Sequence, residues 1–202
     1  MTNRENLKDR LLNSAEARIA RDGWTTLRAR DVTQDAGCAL GSLYTAFDDL
    51  DMLILKVNGR TLARLGEDLR SATAKHAEPG DKLVALAEAY LAFALENLKL
   101  WNSVFEHRMP ADWEVPDWHM EEHEVLIEHI CSPLAALAPD LDGAALSLRA
   151  RTLFSAVHGV VKLSLEDRFV AVRPEALAEE VRTLVRLIIA GMQPPGSAPA
   201  IR

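Results

Sequence analysis

The sequence has little cysteine, few aromatic residues and no apolar run long enough to cross a membrane. The two cysteines, Cys38 and Cys131, stand far apart and match neither a metal-ligand spacing nor a disulfide framework. That sets the expectation of a reduced, cytoplasmic setting. Apolar stretches fall short of the ~20 residues a membrane helix needs. The opening residues, MTNRENLKDRLL, carry charge but no uninterrupted apolar core, so no secretion signal is expected. No segment alternates polar and apolar residues at the strand period, and no internal repeat, Gly-rich phosphate loop or Ser/His/Asp signature is present. What remains is a globular composition: 202 residues, 49% hydrophobic and 26% charged, enough chain to bury a core.

The net charge of −7 argues at first against a nucleic-acid partner. Its distribution softens that. Up to Arg64 there are ten Lys/Arg against nine Asp/Glu, and beyond it 13 against 21. The acidity therefore lies in the C-terminal two thirds, and a near-neutral N-terminal part permits DNA binding without demanding it.

Everything reads as helix. Leu7, Leu11, Ala15 and Ile19 recur every fourth residue, with Leu12 widening the stripe, and Asp22-Gly23 ends this first helix. A second helix is expected from about Arg28 to Ala36 and a third from about Leu40 to Ala46. Asp48 or Asp49 then caps a long fourth, through Leu69 and beyond. Glu78-Pro79-Gly80-Asp81 restarts the pattern. An apolar helix is expected over Lys82 to about Leu100, then a short Trp-rich one to Met109 and a loop over Pro110–Pro116. A further helix begins near Asp117 and is bent or ended at Pro133. Asp142 starts a helix ending near Phe169, and Arg173-Pro174-Glu175 starts the last, which fades at Gly191. Residues 193–202 hold three prolines and read as a disordered tail.

The sharpest local signal is DVTQDAGCALGSLYTAF, Asp31 to Phe47. Small Ala36 suits two helices that nearly touch, Gly37 can turn the chain at positive φ, and Val32 and Leu43 are spaced to meet across the corner. This is the pattern of a helix-turn-helix, whose second helix enters a DNA major groove. Its outward residues would be Leu40, Gly41, Ser42, Tyr44 and Thr45. Arg28 and Arg30, at the start of the preceding helix, can meet phosphates. The competing reading is an ordinary corner of a helical bundle.

The stretch GWTTLRARDVTQDAGCALGSLYTAFDDLDMLI resembles the N-terminal domain of the TetR family of bacterial repressors. The matching features are Gly23-Trp24, Val32, Ala36-Gly37, Gly41, Leu43-Tyr44, Phe47 and Leu53. LFSAVHGVVKLSLE, Leu153 to Glu166, resembles the late-helix His-Gly pattern of one branch of the family. The resemblance implies an all-α chain: a three-helix helix-turn-helix domain (residues 1–50) joined by a long fourth helix to a helical ligand-binding and dimerisation domain (51–192), with the tail at 193–202. Two positions depart from the family pattern. Many members have Ser or Thr where Ala39 stands, and Lys, near a phosphate, where Leu50 stands. Here Leu50 is flanked by Asp48, Asp49 and Asp51, acids that suit a helix N-terminus but repel DNA.

The later helices are apolar on two sides, so one side needs a cover beyond its own domain. By the resemblance this is a second copy, and the dimer-interface candidates are Val157, Gly159, Val160, Leu184 and Ile188. A family member would hold an apolar or aromatic effector among Tyr90, Phe93, Trp101, Phe105, Met109, Trp113, Trp118, Phe154 and His158. For any single one of these, core filling is the plainer reading. His119-Met120-Glu121-Glu122-His123 fits the H-x-x-E-H pattern of zinc peptidases. It lacks a defined third ligand and reads better as a solvated, charge-rich face.

The sequence therefore points to a homodimeric, DNA-binding transcriptional regulator, most readily a repressor released by a small molecule. The expected partners are an operator duplex, an effector and a second copy. No catalytic role, metal, cofactor or membrane is expected. The rivals are a helical adaptor without DNA binding and a zinc hydrolase built on His119, Glu122 and His123.

Overall fold

In the computed structural model the described residues are 3–110, 113–166 and 169–192, and among them every regular element is helical. The helices are α1 (Asn3–Asp22), α2 (Ala29–Asp35), α3 (Gly41–Phe47), α4 (Leu50–Thr73), α5 (Pro79–Glu96), α6 (Leu98–Glu106), α7 (Asp117–Leu137), α8 (Gly143–Leu165) and α9 (Pro174–Met192). A 3₁₀ turn covers Trp24–Thr26. The expected tail at 193–202 lies outside the described residues.

The chain forms two compact units that do not follow its linear order. The first comprises Met1–Arg64 and Glu96–His123, the second Leu65–Leu95 and Glu124–Arg202. Helices α4 and α7 each contribute residues to both.

The first unit is built on the periodicity of α1. Leu11, Ala15 and Ile19 are fully buried, in one cluster with Val32, Leu43, Phe47, Leu53 and Val57. Gly23 ends α1 with φ +89°, a conformation L side chains rarely adopt, while its N–H still donates to the Ile19 carbonyl. Arg18 forks onto Asp35 at 2.6 and 2.9 Å and reaches Asp31 at 3.5 Å, tying α1 to α2. These pairs are solvated, so water screens them and each adds little to stability. Helix α6 packs on α1 and on the 3₁₀ turn.

In the second unit α5 is buried on several faces, including Leu83, Leu86, Tyr90, Leu91 and Ala94, as a helix apolar all round should be. Helices α8 and α9 pack together, and Arg182 of α9 pairs with Glu88 of α5 at 2.6 Å. Asp142 caps α8 by accepting the Ala145 N–H at 2.8 Å.

Several boundaries depart from the sequence reading. The expected helix to Leu100 breaks at Asn97, the Trp-containing helix ends at Glu106 and not Met109, and α8 stops at Leu165. Nor does Pro133 end α7, which continues to Leu137. A mid-helix proline costs about 3 kcal/mol. Here it lies one turn from the end, and continuing places fully buried Leu134 in a cluster with Ile127 and Ala150. Burying a leucine recovers about 1.5–3 kcal/mol.

Candidate DNA-reading corner and effector cavity

The α2–α3 corner is set by its glycine. Gly37 has φ +63°; its N–H donates to the Gln34 carbonyl and the next N–H, of Cys38, to the Thr33 carbonyl. Ser14 of α1 donates to the Val32 carbonyl at 3.1 Å, which fixes α2 from behind. Leu43 and Phe47 turn inward, so the opposite face of α3 is left outside. Gly41, Tyr44 and Thr45 are exposed, Ser42 is half-buried, and Leu40 stands exposed just before the helix. Arg28, the residue preceding α2, and Arg30 are also exposed. The structure thus gathers all seven predicted residues on one corner. The Thr45 hydroxyl donates to the Gly41 carbonyl at 3.0 Å, leaving its oxygen lone pairs and methyl group facing out.

The acids at the start of α4 have folding tasks. Asp49 Oδ1 accepts the Met52 N–H at 2.7 Å, as a helix cap should. Asp51 Oδ1 lies 2.8 Å from His107 Nε2, and the His107 side chain is 1% exposed. His107 in turn meets Trp24 edge to face, with ring centroids 5.2 Å apart. Two turns further along α4 the polar theme continues. Asn58 and Ser103, both buried, exchange two hydrogen bonds: Ser103 Oγ donates to Asn58 Oδ1 at 2.7 Å, and Asn58 Nδ2 to the Ser103 carbonyl at 3.1 Å. Sequence reasoning missed these links. Their trace is polar residues seven apart on α4 (Asp51, Asn58) facing polar residues four apart at the end of α6 (Ser103, and His107 just beyond it).

The tryptophan-rich region belongs to this same unit. Trp101 is buried and contacts Phe105, with ring centroids 5.3 Å apart. The Lys56 ammonium sits 3.2 Å from the centre of the Trp118 ring, and burial pushes the pKa of Lys56 down. Met109 is half-buried and Trp113 exposed. Glu122 lies so close to Gly59 that a Cβ there would come within 2.5 Å of its carboxylate.

His119 is 5% exposed, and burial lowers its pKa to about 4, with help from His123, His107 and Lys56. Its Nδ1 lies 3.2 Å from Glu122 Oε2, and burial raises the Glu122 pKa against the opposing charges of Lys56 and His123. The His123 Nδ1 bonds the His119 carbonyl at 2.9 Å. Among the described residues no three His, Cys, Asp or Glu side chains converge as an ion would require.

In the second unit, α4, α5, α7, α8 and α9 enclose a cavity of about 40 Å³ lined by Leu69, Leu86, Leu126, Phe154, Val157 and Val185, among others. Tyr90 is its one polar lining side chain. The Tyr90 hydroxyl and His158 Nδ1 are 2.6 Å apart, and Phe154 stacks on the His158 ring. Burial lowers the His158 pKa and favours the neutral imidazole. Of the residues predicted to hold a ligand, the structure brings Tyr90, Phe154 and His158 together here. Phe93 is buried but does not line the cavity. Trp101, Phe105, Met109, Trp113 and Trp118 belong to the first unit and do not line it either. Val157, a candidate for a subunit interface, lines the cavity. Gly159 faces open space, and Val160, Leu184 and Ile188 are half-buried. Nearby on α8 and α9, Leu148, Leu163 and Leu187 are 68%, 41% and 67% exposed, candidates the sequence reading passed over.

An exposed helix-turn-helix corner and an apolar cavity among later helices are the arrangement of an all-helical transcriptional regulator. Residues 83–188 match the family model described as the tetracyclin repressor-like C-terminal domain, and the chain belongs to the TetR family of transcriptional regulators. No curated protein sequence matches the chain. Solved structures share its fold. A Rhodococcus sp. RHA1 protein of unknown function is 22% identical with a TM-score of 0.74, covering 92% of this chain and 94% of its own. The transcriptional regulator FadR of Bacillus subtilis, solved with stearoyl-CoA, is 14% identical with a TM-score of 0.70, covering 92% and 99%. RolR, solved with resorcinol, is 18% identical with a TM-score of 0.67, covering 98% and 97%.

Proposed function

We propose that this chain is a homodimeric repressor that leaves its operator when a small apolar or aromatic molecule enters the cavity around Tyr90, Phe154 and His158. Residues 1–50 read DNA, and residues 51–192 bind the effector and pair two subunits. The observation that carries the reading is the outward face of the α2–α3 corner. Arg28 and Arg30 stand ready for phosphates, with Ser42, Tyr44 and Thr45 on the helix offered to base edges. No catalytic step is part of this role, and the setting is the cytoplasm.

The cavity supplies the other half. At about 40 Å³ it is well below the roughly 150 Å³ that accepts benzene in a protein interior. A ring or an alkyl chain enters only as the walls part, so binding and conformational change are coupled by size. Relatives with this fold are solved with an aromatic ring and with a long-chain acyl thioester, the two chemical classes such walls suit. Helix α4, which lines the cavity with Leu69 and contributes residues to both units, carries the change toward the DNA heads. Loss of repression then reflects the effector's higher affinity for the state that does not bind operator. The exposed Leu148, Leu163 and Leu187, with open Gly159, form the face for the second subunit.

A thermal-melt screen of uncharged apolar and aromatic compounds, followed by operator titrations with each hit, tests this reading. A true effector weakens operator binding, and the operator weakens effector binding by the same factor. Compounds that stabilise the protein yet leave operator affinity unchanged at saturation would overturn the inducible half.

A further inference from the structure

A second, larger concavity lies in the same unit as the apolar cavity: a cleft of about 440 Å³ lined by Arg70, Lys82, His76, Glu128 and His129, with Ser132 and others. Its relation to the cavity is one of helix faces. Arg70, Lys82 and His129 line the cleft, while their chain neighbours Leu69, Leu83 and Ile130 line the cavity. Successive helical residues point about 100° apart. Three helices, α4, α5 and α7, therefore turn one face to the cavity and the adjoining face to the cleft.

The two spaces are chemically opposite. The cavity wall is hydrocarbon apart from one hydroxyl, and no charged side chain lines it. In the cleft stand two cations, Arg70 and Lys82, two imidazoles, and a single carboxylate, that of Glu128. Lys82 is half-buried and makes no ion pair among the described residues; Arg70 is exposed and pairs with Glu67. Burial lowers the His129 pKa, which leaves that ring a neutral hydrogen-bonding group.

We infer that the effector is an amphipathic anion, its apolar chain in the cavity and its acidic head in the adjoining cleft on Lys82 and Arg70. This rests on the effector reading of the cavity and deepens it. An anionic head cannot follow its chain inside, because the cavity offers no charge to replace its water. In the cleft it keeps water contact while gaining two cations. Carboxylate and phosphate heads share this chemistry. Glu128 opposes both, and so sets an upper limit on affinity that its neutral isostere lifts.

Calorimetric titration of the full chain with decanol, decanoate and decyl phosphate, all below their aggregation concentrations, tests the inference. The intact protein should bind the anions about tenfold or more tighter than decanol, as charge-assisted hydrogen bonds allow. Lys82→Gln with Arg70→Gln should abolish that preference and leave decanol binding unchanged, which also shows the variant is folded. Glu128→Gln should tighten the anions severalfold and decanol not at all. The tighter of the two anions identifies the head group, and either order supports the inference. Equal binding of decanol and the anions, or a preference that survives both substitutions, overturns it while the apolar effector site stands. If none of the three binds, this inference falls, and the aromatic compounds of the thermal-melt screen decide whether the cavity takes an effector at all.

Discussion

At the scale of single residues, His119 makes the most direct pH prediction. Its folded pKa of about 4 lies below the ordinary 6.5 because burial disfavours the charged ring. The unfolded chain therefore takes up a proton that the folded one refuses. Stability is full above pH 6.5 and is lost progressively as pH falls from 6.5 toward 4, by about 3 kcal/mol at most. His119→Leu should remove that part of the acid slope, as urea melts at pH 7 and pH 5 would show; an unchanged slope would mean that the ring is protonated in the fold. Asp48 is the one described residue other than glycine with positive φ, at +62°. Asp48→Gly should relieve about 1 kcal/mol of strain, read in the same melts. Asp51 now has a partner the sequence did not suggest. Substituting Asn for Asp51 removes the charge facing buried His107, and Lys sets a cation against it, so Asp51→Lys should destabilise by about 1–3 kcal/mol. A melt that does not move would show the imidazole is held by other groups.

At the scale of elements, the N-terminal corner was readable because its constraints are local. The stripe of α1, the glycines at 23 and 37 and the cap at Asp49 each act within a turn of their own position, and the structure places helices within a residue or so of the expected ends. The later helices were harder. The break at Asn97 has no Gly or Pro to announce it, and Pro133 announces a break that the burial of Leu134 overrides. The cavity was legible only in part, for Tyr90 and Phe154, with His158 bonded to Tyr90 beside it. Its aliphatic walls come from five helices and look like any other core residues. The tryptophans drew the eye by their spacing, but sequence proximity between Trp101 and Trp118 says nothing about which core they join. For α3 the prediction is specific. Thr45→Ala should relax base preference. Arg30→Ala should weaken all sequences alike and lower the salt slope by about one unit, as expected for one lost phosphate contact.

At the scale of the whole molecule, the proposed pairing of subunits would decide whether the corner can act. In that reading a single α3 covers half a site, and joining two heads raises their effective concentration on DNA. Gly159→Leu and Leu187→Lys test the proposed face from opposite directions, one by bulk and one by charge. Overpacking of this kind costs about 1–3 kcal/mol. Either substitution should shift sedimentation toward monomer at low micromolar protein and abolish operator binding with it. An unchanged dimer in both would move the interface away from α8 and α9.

The central claim is that the exposed α2–α3 corner reads DNA, and fluorescence anisotropy with labelled duplex from upstream of the protein's own gene tests it most directly. Titrations at several salt concentrations, against a scrambled duplex of equal length, should show tighter binding to the upstream sequence, a preference Thr45→Ala reduces and a salt slope Arg30→Ala lowers by about one. Equal affinity for both duplexes at every salt concentration, unchanged by either substitution, would contradict the account.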